Sequence, residues 1–146
     1  MTLTHLLDTS VYCQPIKKHP LASVEQRWRL LGDDSLCVSV ICEAEVLQGL
    51  YLKNSKALWQ AYQRVLRGRL PVLPVLDEVG KVYAKVAATL MKKGEARSPF
   101  DLLIAATAIA HGLVLATCNA SDFRAIEGVA VEDWSHPSSY PTIGAG

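Results

Sequence analysis

Several features that would place this chain in a particular class of protein are missing from its 146 residues. The four cysteines form no Cys-x-x-Cys pair and have no zinc-ligand spacing with the four histidines, so we expect free thiols in a reducing compartment. No basic segment precedes an apolar one at the start of the chain, so no signal peptide is predicted. No apolar run reaches the roughly 18 residues that span a membrane. We therefore expect a cytoplasmic protein without a membrane segment.

The sequence also lacks a strong excess of charge of either sign. Its formal net charge is +1, from 15 Lys and Arg against 14 Asp and Glu, which argues against a strongly basic protein that wraps nucleic acid. Local basic patches can accompany an acidic pocket, so RNA binding is not excluded. Half of the residues are hydrophobic and a fifth are charged. This composition predicts one folded domain with a sizeable core.

Short apolar segments alternate with amphipathic ones along the chain. Strands are predicted at residues 3–7, 35–39, 70–75, 113–117 and 129–131. Helices are predicted at residues 21–31, 40–68 with a break near Asn54, 77–93 with Asp77 as its cap, and 99–111. The third strand contains two prolines, which favours an edge position. The alternation predicts an α/β domain over residues 1–134, with a mostly parallel central sheet covered by helices on both faces. The Pro/Ser/Gly-rich tail at 135–146 is expected to be flexible.

Four acidic residues follow predicted strands or begin predicted helices: Asp8, Glu45, Asp101 and Asp122. In an open parallel sheet such positions face one edge, where ligands bind near the point at which strand order reverses. Converging carboxylates repel each other unless a divalent cation lies between them. If the four residues meet, we expect a Mg²⁺ or Mn²⁺ site for phosphodiester hydrolysis, with water as the nucleophile.

Each carboxylate also has a purely structural interpretation. Asp8 is a suitable N-cap for the helix that follows it. The segment Ser98-x-x-Asp101 is close to an ideal capping box, with a proline at the first helical position. Asp122 could close an Asx-turn, and Glu45 could be a solvated helix residue. A capping role and a metal-binding role are compatible at one residue.

Glu43 and Glu45 compete for a place in this pocket. Residues two positions apart on a helix point in different directions, so only one of them should reach it. Gly49 lies four residues after Glu45 on the same helical face and leaves open space beside that carboxylate. Glu45 is therefore the predicted site residue.

With these positions in view, the chain resembles a PIN-domain ribonuclease and, within that family, the VapC-type toxin of bacterial toxin–antitoxin pairs. The matching segments are residues 6–11, 39–49, 100–106, 115–123 and 128–134. The similarity thus extends over almost the whole chain to Trp134, and the first four of these segments are motifs that occur in the family's order and spacing. One departure is Cys118, where an asparagine is common in the family.

The resemblance implies a metal-dependent endoribonuclease that cleaves cellular RNA such as tRNA or rRNA. Its Mg²⁺ or Mn²⁺ would be held by four acids: Asp8, Glu45, Asp101 and Asp122. Thr9 and Asn119 would be supporting polar groups. The resemblance also implies a homodimer and a cognate VapB-type antitoxin whose tail enters the active-site groove.

RNA would need cations beside the acidic pocket. Arg97 and Arg124 flank the last two acids in sequence, and arginine suits the geometry of phosphate. Four lysines are further candidates, although they could equally form a solvated surface: Lys53, Lys56, Lys92 and Lys93.

Two alternatives from other functional classes stay open at this point. An aspartate-based α/β phosphatase would use Asp8 at its strand end, but Ser10 occupies the position where haloacid-type phosphatases have a second aspartate. A catalytically inactive PIN-like module would only bind a protein partner. The presence of all four acids favours the enzyme over this module.

Overall fold

A computed structural model of the protein describes residues 2–137, which form an α/β domain around one sheet. The strands lie in the order β3-β2-β1-β4-β5, and every neighbouring pair is parallel. Their bounds are β1 His5–Leu7, β2 Leu36–Ser39, β3 Val72–Leu73, β4 Val114–Thr117 and β5 Val131–Asp133. The sheet predicted as mostly parallel is thus entirely parallel within the described part of the chain. Of the predicted tail, residues 138–146 lie outside the described residues.

The helices follow the predicted alternation with the strands. Their bounds are α1 Thr9–Tyr12, α2 Ala22–Leu31, α3 Val40–Lys53, α4 Lys56–Val65, α5 Asp77–Lys92 and α6 Pro99–His111. Asn54 separates α3 from α4 because it adopts a left-handed conformation, with φ 49°, that asparagine tolerates better than most residues. Within residues 2–137 no helix is long and apolar enough to cross a membrane.

Two predicted details of the elements are wrong. Asp77 does not cap α5, because Leu76 occupies the N-cap position and Asp77 is the first helical residue, where its carboxylate lies 3.2 Å from Lys81 Nζ. The last strand begins at Val131 rather than at residue 129, since pairing with β4 starts there. The third strand is an edge strand as predicted, although it is only two residues long.

The two central strands are buried along their whole length. Every residue of β1 and β2 is inaccessible or nearly so, which requires cover on both faces of the sheet. The largest fully buried side chains are Trp134, Tyr12 and Phe123. All three lie within a few residues of the carboxyl end of a strand, so the core continues beneath the edge where the acidic residues lie.

Glu132 on β5 connects three parts of this core. Its Oε1 accepts hydrogen bonds from Arg27 Nη2 (2.9 Å) on α2 and from the Trp134 indole (3.0 Å), and its Oε2 accepts one from His5 Nε2 (3.1 Å) on β1. Burial alone would raise the pKa of Glu132, but these hydrogen bonds outweigh it and lower the pKa below its ordinary 4.5. The ionised carboxylate therefore stabilises the folded state.

We expect Glu132→Gln to lower the free energy of unfolding by about 3 kcal/mol at pH 7, because it removes the negative charge opposite a buried guanidinium. Urea unfolding measures the change. Glu127→Gln is the matched control, since that carboxylate contacts Lys93 at the surface and should contribute less than about 1 kcal/mol.

The difference between wild type and Glu132→Gln should also depend on pH. A carboxylate with a lowered pKa in the folded state stabilises above its unfolded pKa, and this contribution is lost as pH falls through the folded value. The difference should thus be full above about pH 4.5 and shrink below it. An equal difference at all pH values would contradict this role.

Candidate active site

Strand order reverses at β1, which pairs with β2 on one side and with β4 on the other. Ligands of open parallel sheets bind beyond the carboxyl ends of the strands at such a point. Asp8 is the first residue after β1, and its backbone N–H donates to Ala116 O of β4 (3.0 Å). Ser39 ends β2, and Thr117 ends β4. The three strand ends therefore lie side by side around Asp8.

The Asp8 carboxylate is held by three hydrogen bonds in a buried position, with 5% of the residue exposed. Oδ1 accepts from Ser10 Oγ (2.6 Å) and from the Val11 amide (3.2 Å), and Oδ2 accepts from Thr117 Oγ1 (2.5 Å). The predicted capping role is confirmed, because Asp8 is the N-cap of α1. Burial raises the pKa of Asp8 to about 6, the hydrogen bonds oppose this rise, and the charge of Asp101 adds to it.

Glu45, and not Glu43, faces the same edge of the sheet. Thr9 Oγ1 donates a hydrogen bond to Glu45 Oε1 (2.7 Å), which brings α3 against the residue that follows Asp8. Glu43 accepts hydrogen bonds from the hydroxyls of Tyr12 (2.6 Å) and Tyr62 instead. A Cβ added to Gly49 would meet no atom within 4 Å, so the predicted open space beside Glu45 is present.

Asp101 and Asp122 complete the acidic cluster without the structural roles predicted for them. Ser98 is the N-cap of α6 but makes no side-chain cap hydrogen bond, so the expected capping box is not formed. Asp122 ends a 3-10 turn at Ala120–Asp122 that follows β4, and no described residue donates to its carboxylate, so the expected Asx-turn is absent as well. Burial raises the pKa of Asp101, and the charges of Asp122 and Glu45 raise it further.

The four carboxylates have no cationic partner within residues 2–137. The ion pairs there involve other acids: Asp33, Asp77, Glu95, Glu127 and Glu132. Oxygen ligands with uncompensated negative charge suit a hard divalent cation. Among the described residues no group of three or more Asp, Glu, His or Cys side chains is placed so that it could hold a metal ion.

Two hydroxyl residues that were not among the predicted site residues hold Asp8 in place. Ser10 and Thr117 donate to its two carboxylate oxygens, and each also accepts a backbone N–H from the segment after β4. Those amides belong to Cys118 and Asn119, at 2.9 Å in each case. Asn119 thus contributes its backbone, because its side-chain amide makes no hydrogen bond to a described residue. In the sequence, the sign of this role was that Thr117 is a hydroxyl residue at the end of a buried apolar strand.

The cations predicted to contact RNA differ in their availability. Lys93 Nζ lies 3.5 Å from Glu127, and Arg97 Nη2 lies 3.7 Å from Glu95, so both are engaged in ion pairs. Lys92 and Arg124 are exposed and form no ion pair with a described residue.

Comparison with known proteins indicates the family to which the chain belongs. The family model of the PIN domain matches residues 5–129. The chain is 29% identical over 136 residues to a tRNA(fMet)-specific endonuclease VapC from Shigella flexneri, covering 91% of this chain and 99% of that protein. It is 30% identical over 135 residues to ribonuclease VapC1 from Haemophilus influenzae strain R2866, covering 91% and 99%.

Solved structures give the same result. The DNA-bound VapBC complex from Salmonella typhimurium contains a chain that superposes with a TM-score of 0.79 at 30% identity, covering 90% of this protein and 98% of that chain. A chain of FitAcB from Neisseria gonorrhoeae superposes with a TM-score of 0.82 at 29% identity, covering 91% and 99%.

The fold, the acidic edge and these matches define a nuclease of the PIN class. The chain belongs to the PIN-domain family and, within it, to the VapC-type ribonuclease toxins. A family of ribonucleases argues against the aspartate-based phosphatase considered from the sequence.

The metal-free protein should be more stable when the Asp8 charge is removed. A carboxylate whose pKa rises from 3.8 to about 6 on folding opposes folding when ionised. We expect Asp8→Asn to raise the free energy of unfolding at pH 8 in EDTA by up to about 3 kcal/mol. The gain should shrink as pH falls below about 6, where wild-type Asp8 becomes protonated.

Urea unfolding of both proteins at several pH values measures this difference. Lower stability of Asp8→Asn at every pH would contradict it, because that result would make Asp8 a purely structural cap.

Proposed function

We propose that this protein hydrolyses RNA phosphodiester bonds with Mg²⁺ or Mn²⁺ held at the acidic edge of the sheet. The main support is the mutual repulsion of its carboxylates. Asp101 raises the pKa of Asp8, and Asp122 and Glu45 raise that of Asp101, after the larger effect of burial in each case. A divalent cation would remove this repulsion. Membership in a family of ribonucleases gives the reaction class.

Asp8 would be the central ligand, and Asp101 and Asp122 would complete the shell, partly through water. A bound divalent ion supplies charge neutralisation at the phosphoryl oxygens and a more acidic bound water. Asp8 is suited to its role because Ser10 and Thr117 orient both carboxylate oxygens. Such orientation reduces the rearrangement that would otherwise accompany binding.

Glu45 would hold or deprotonate the attacking water. The hydroxyl of Thr9 donates to Oε1 of Glu45, which leaves Oε2 available for a water molecule. Asp101 lies in the first turn of α6, so the positive end of that helix dipole lies beside its carboxylate.

We further infer a cognate antitoxin partner, a homodimer and a cytoplasmic location. The solved relatives include VapBC and FitAB complexes, some of them bound to DNA, which supports an antitoxin that binds the toxin. The relative from Shigella flexneri is named for tRNA(fMet), which makes tRNA the first substrate to test.

Purified protein should cut cellular RNA into discrete fragments when Mg²⁺ or Mn²⁺ is present. Asp8→Asn should reduce the rate at least about a hundredfold, because it removes the central ligand. Gel analysis of tRNA and total RNA, with an EDTA control, measures the cleavage. Equal cleavage by wild type and Asp8→Asn, or cleavage unaffected by EDTA, would contradict the proposed site.

Thr117 should act as a positioning residue for Asp8. Thr117→Val keeps the shape of the buried side chain but removes the hydrogen bond to Oδ2, so we expect about a tenfold lower cleavage rate and a higher Mg²⁺ requirement. Thr117→Ser, which retains the hydroxyl, should restore both.

The matched control is Thr107→Val, since Thr107 is equally buried but donates to Leu103 O within α6. Its cleavage rate and Mg²⁺ requirement should equal those of wild type. If Thr117→Val and Thr117→Ser lose activity to the same extent, a packing role would replace the positioning role.

A further inference from the structure

A groove of about 880 Å³ opens directly from the acidic site. Glu45 and Thr9, the residue after Asp8, line its inner end, so a molecule lying in the groove would reach Glu45, one of the four acids. One wall is the segment after α1, and the other is formed by α3 and the beginning of α4. The groove is therefore continuous with the site and is not a separate cavity.

The rim of this groove is basic, in contrast to its acidic inner end. Lys17, Lys18 and His19 follow one another along the first wall, and Lys53 lies on the second. All four side chains are exposed, and none forms an ion pair with a described residue. By contrast, Lys93 and Arg97, predicted from the sequence as RNA contacts, are paired with acids. Unpaired positive charge near the acids is therefore found on this groove as well as at Arg124 and Lys92.

The floor of the groove is apolar, and one face of α3 links it to the site. Its apolar side chains are Ile16, Val46, Leu50 and Leu58. Glu45, Gly49 and Lys53 are spaced four residues apart on α3, so they lie in a row about 12 Å long. This row runs from a catalytic carboxylate, past open space at Gly49, to a cation.

We propose that this groove holds a single-stranded segment of the RNA substrate next to the scissile phosphate. Lys17, Lys18 and Lys53 contact phosphates, while the apolar floor accommodates sugars and bases. Cations on both rims suit a polyanion that follows the groove, whereas an acidic inner end requires that the phosphate there meets a bound divalent cation. This inference rests on the proposed ribonuclease function and names the surface that positions its substrate.

Binding of a fluorescein-labelled 12-nucleotide single-stranded RNA, measured by anisotropy across a range of salt concentrations, tests the groove. The Asp8→Asn background in EDTA keeps the RNA intact and makes the result independent of metal. The triple substitution Lys17→Ala, Lys18→Ala and Lys53→Ala should weaken binding at least about tenfold. It should also reduce the slope of log K against log salt by about 2, since each phosphate contact on a single strand contributes about 0.7.

The charge-matched control removes three exposed cations outside the groove, by Arg29→Ala, Lys81→Ala and Lys85→Ala. We expect its affinity and salt slope to stay close to those of the parent protein. Equal weakening by both triple substitutions would overturn the proposal, because overall charge alone would then account for the binding.

A second pair of substitutions tests the shape of the groove without changing charge. Gly49→Leu places a side chain in the open space beside Glu45, where an added Cβ meets no atom within 4 Å. It should weaken RNA binding several-fold without lowering the melting temperature. Gly80→Leu on α5, which has similar free space, is the control and should bind normally.

Unchanged RNA affinity in both groove variants would overturn the proposal and assign the groove to a protein partner instead. No binding of the 12-nucleotide RNA by the parent protein would also overturn it. Metal-dependent cleavage of cellular RNA by wild type would leave the proposed function standing in either case, so the two failures are distinguishable.

Discussion

The burial of one carboxylate at the junction of β1 and β4 determines how the rest of the site is arranged. Asp8 is held where water is largely excluded, so its oxygens must be satisfied by the protein. Ser10 and Thr117 provide the hydroxyl donors, and the Val11 amide provides the third hydrogen bond. Because these donors come from α1 and β4, the position of the carboxylate depends on the register between β1 and β4.

The other three acids add negative charge near Asp8, and they bring no cation with them. Asp101 and Glu45 come from helices whose amino-terminal ends face the carboxyl edge of the sheet, and Asp122 comes from the turn after β4. Burial and, after it, their repulsion raise the pKa values of Asp8 and Asp101 and oppose folding of the metal-free protein. Stability must therefore come from elsewhere. The half-buried Glu132, which accepts hydrogen bonds from Arg27 and His5, is one such source.

The cations fall into two groups: those that form ion pairs with acids and those that do not. Arg27, Arg69, Lys93 and Arg97 are in ion pairs that connect segments of the fold or its surface. The lysines of the groove next to Glu45 have no such partner among residues 2–137. Three of the cations that form no ion pair among the described residues, Lys17, Lys18 and Lys53, thus line the groove that contains Glu45.

Much of the fold, and the strand ends and helices on which the four acids lie, could be predicted from the sequence because they depend on local patterns. Strand and helix positions follow from apolar periodicity, and Gly49 distinguishes Glu45 from Glu43 through helical spacing alone. The parallel sheet and the edge that gathers the acids follow from the alternation of strands and helices. At Asp77 a suitable capping residue was present, but the backbone placed it one position later, inside the helix. Ser98 occupies the N-cap position as predicted but makes no side-chain cap hydrogen bond.

Other features depend on contacts between residues far apart in the chain, and only the tertiary structure decided them. Thr117 and Asp8 are 109 residues apart, and Glu132 and His5 are 127 apart, so no local pattern indicates either pair. Sequence proximity made Arg97 a candidate RNA contact, yet Glu95 engages it. The sequence by itself determined which residue types are available near each strand end. The packing of strands and helices decided which of them meet, because hydrogen bonds and ion pairs depend on distance in space and not on separation along the chain.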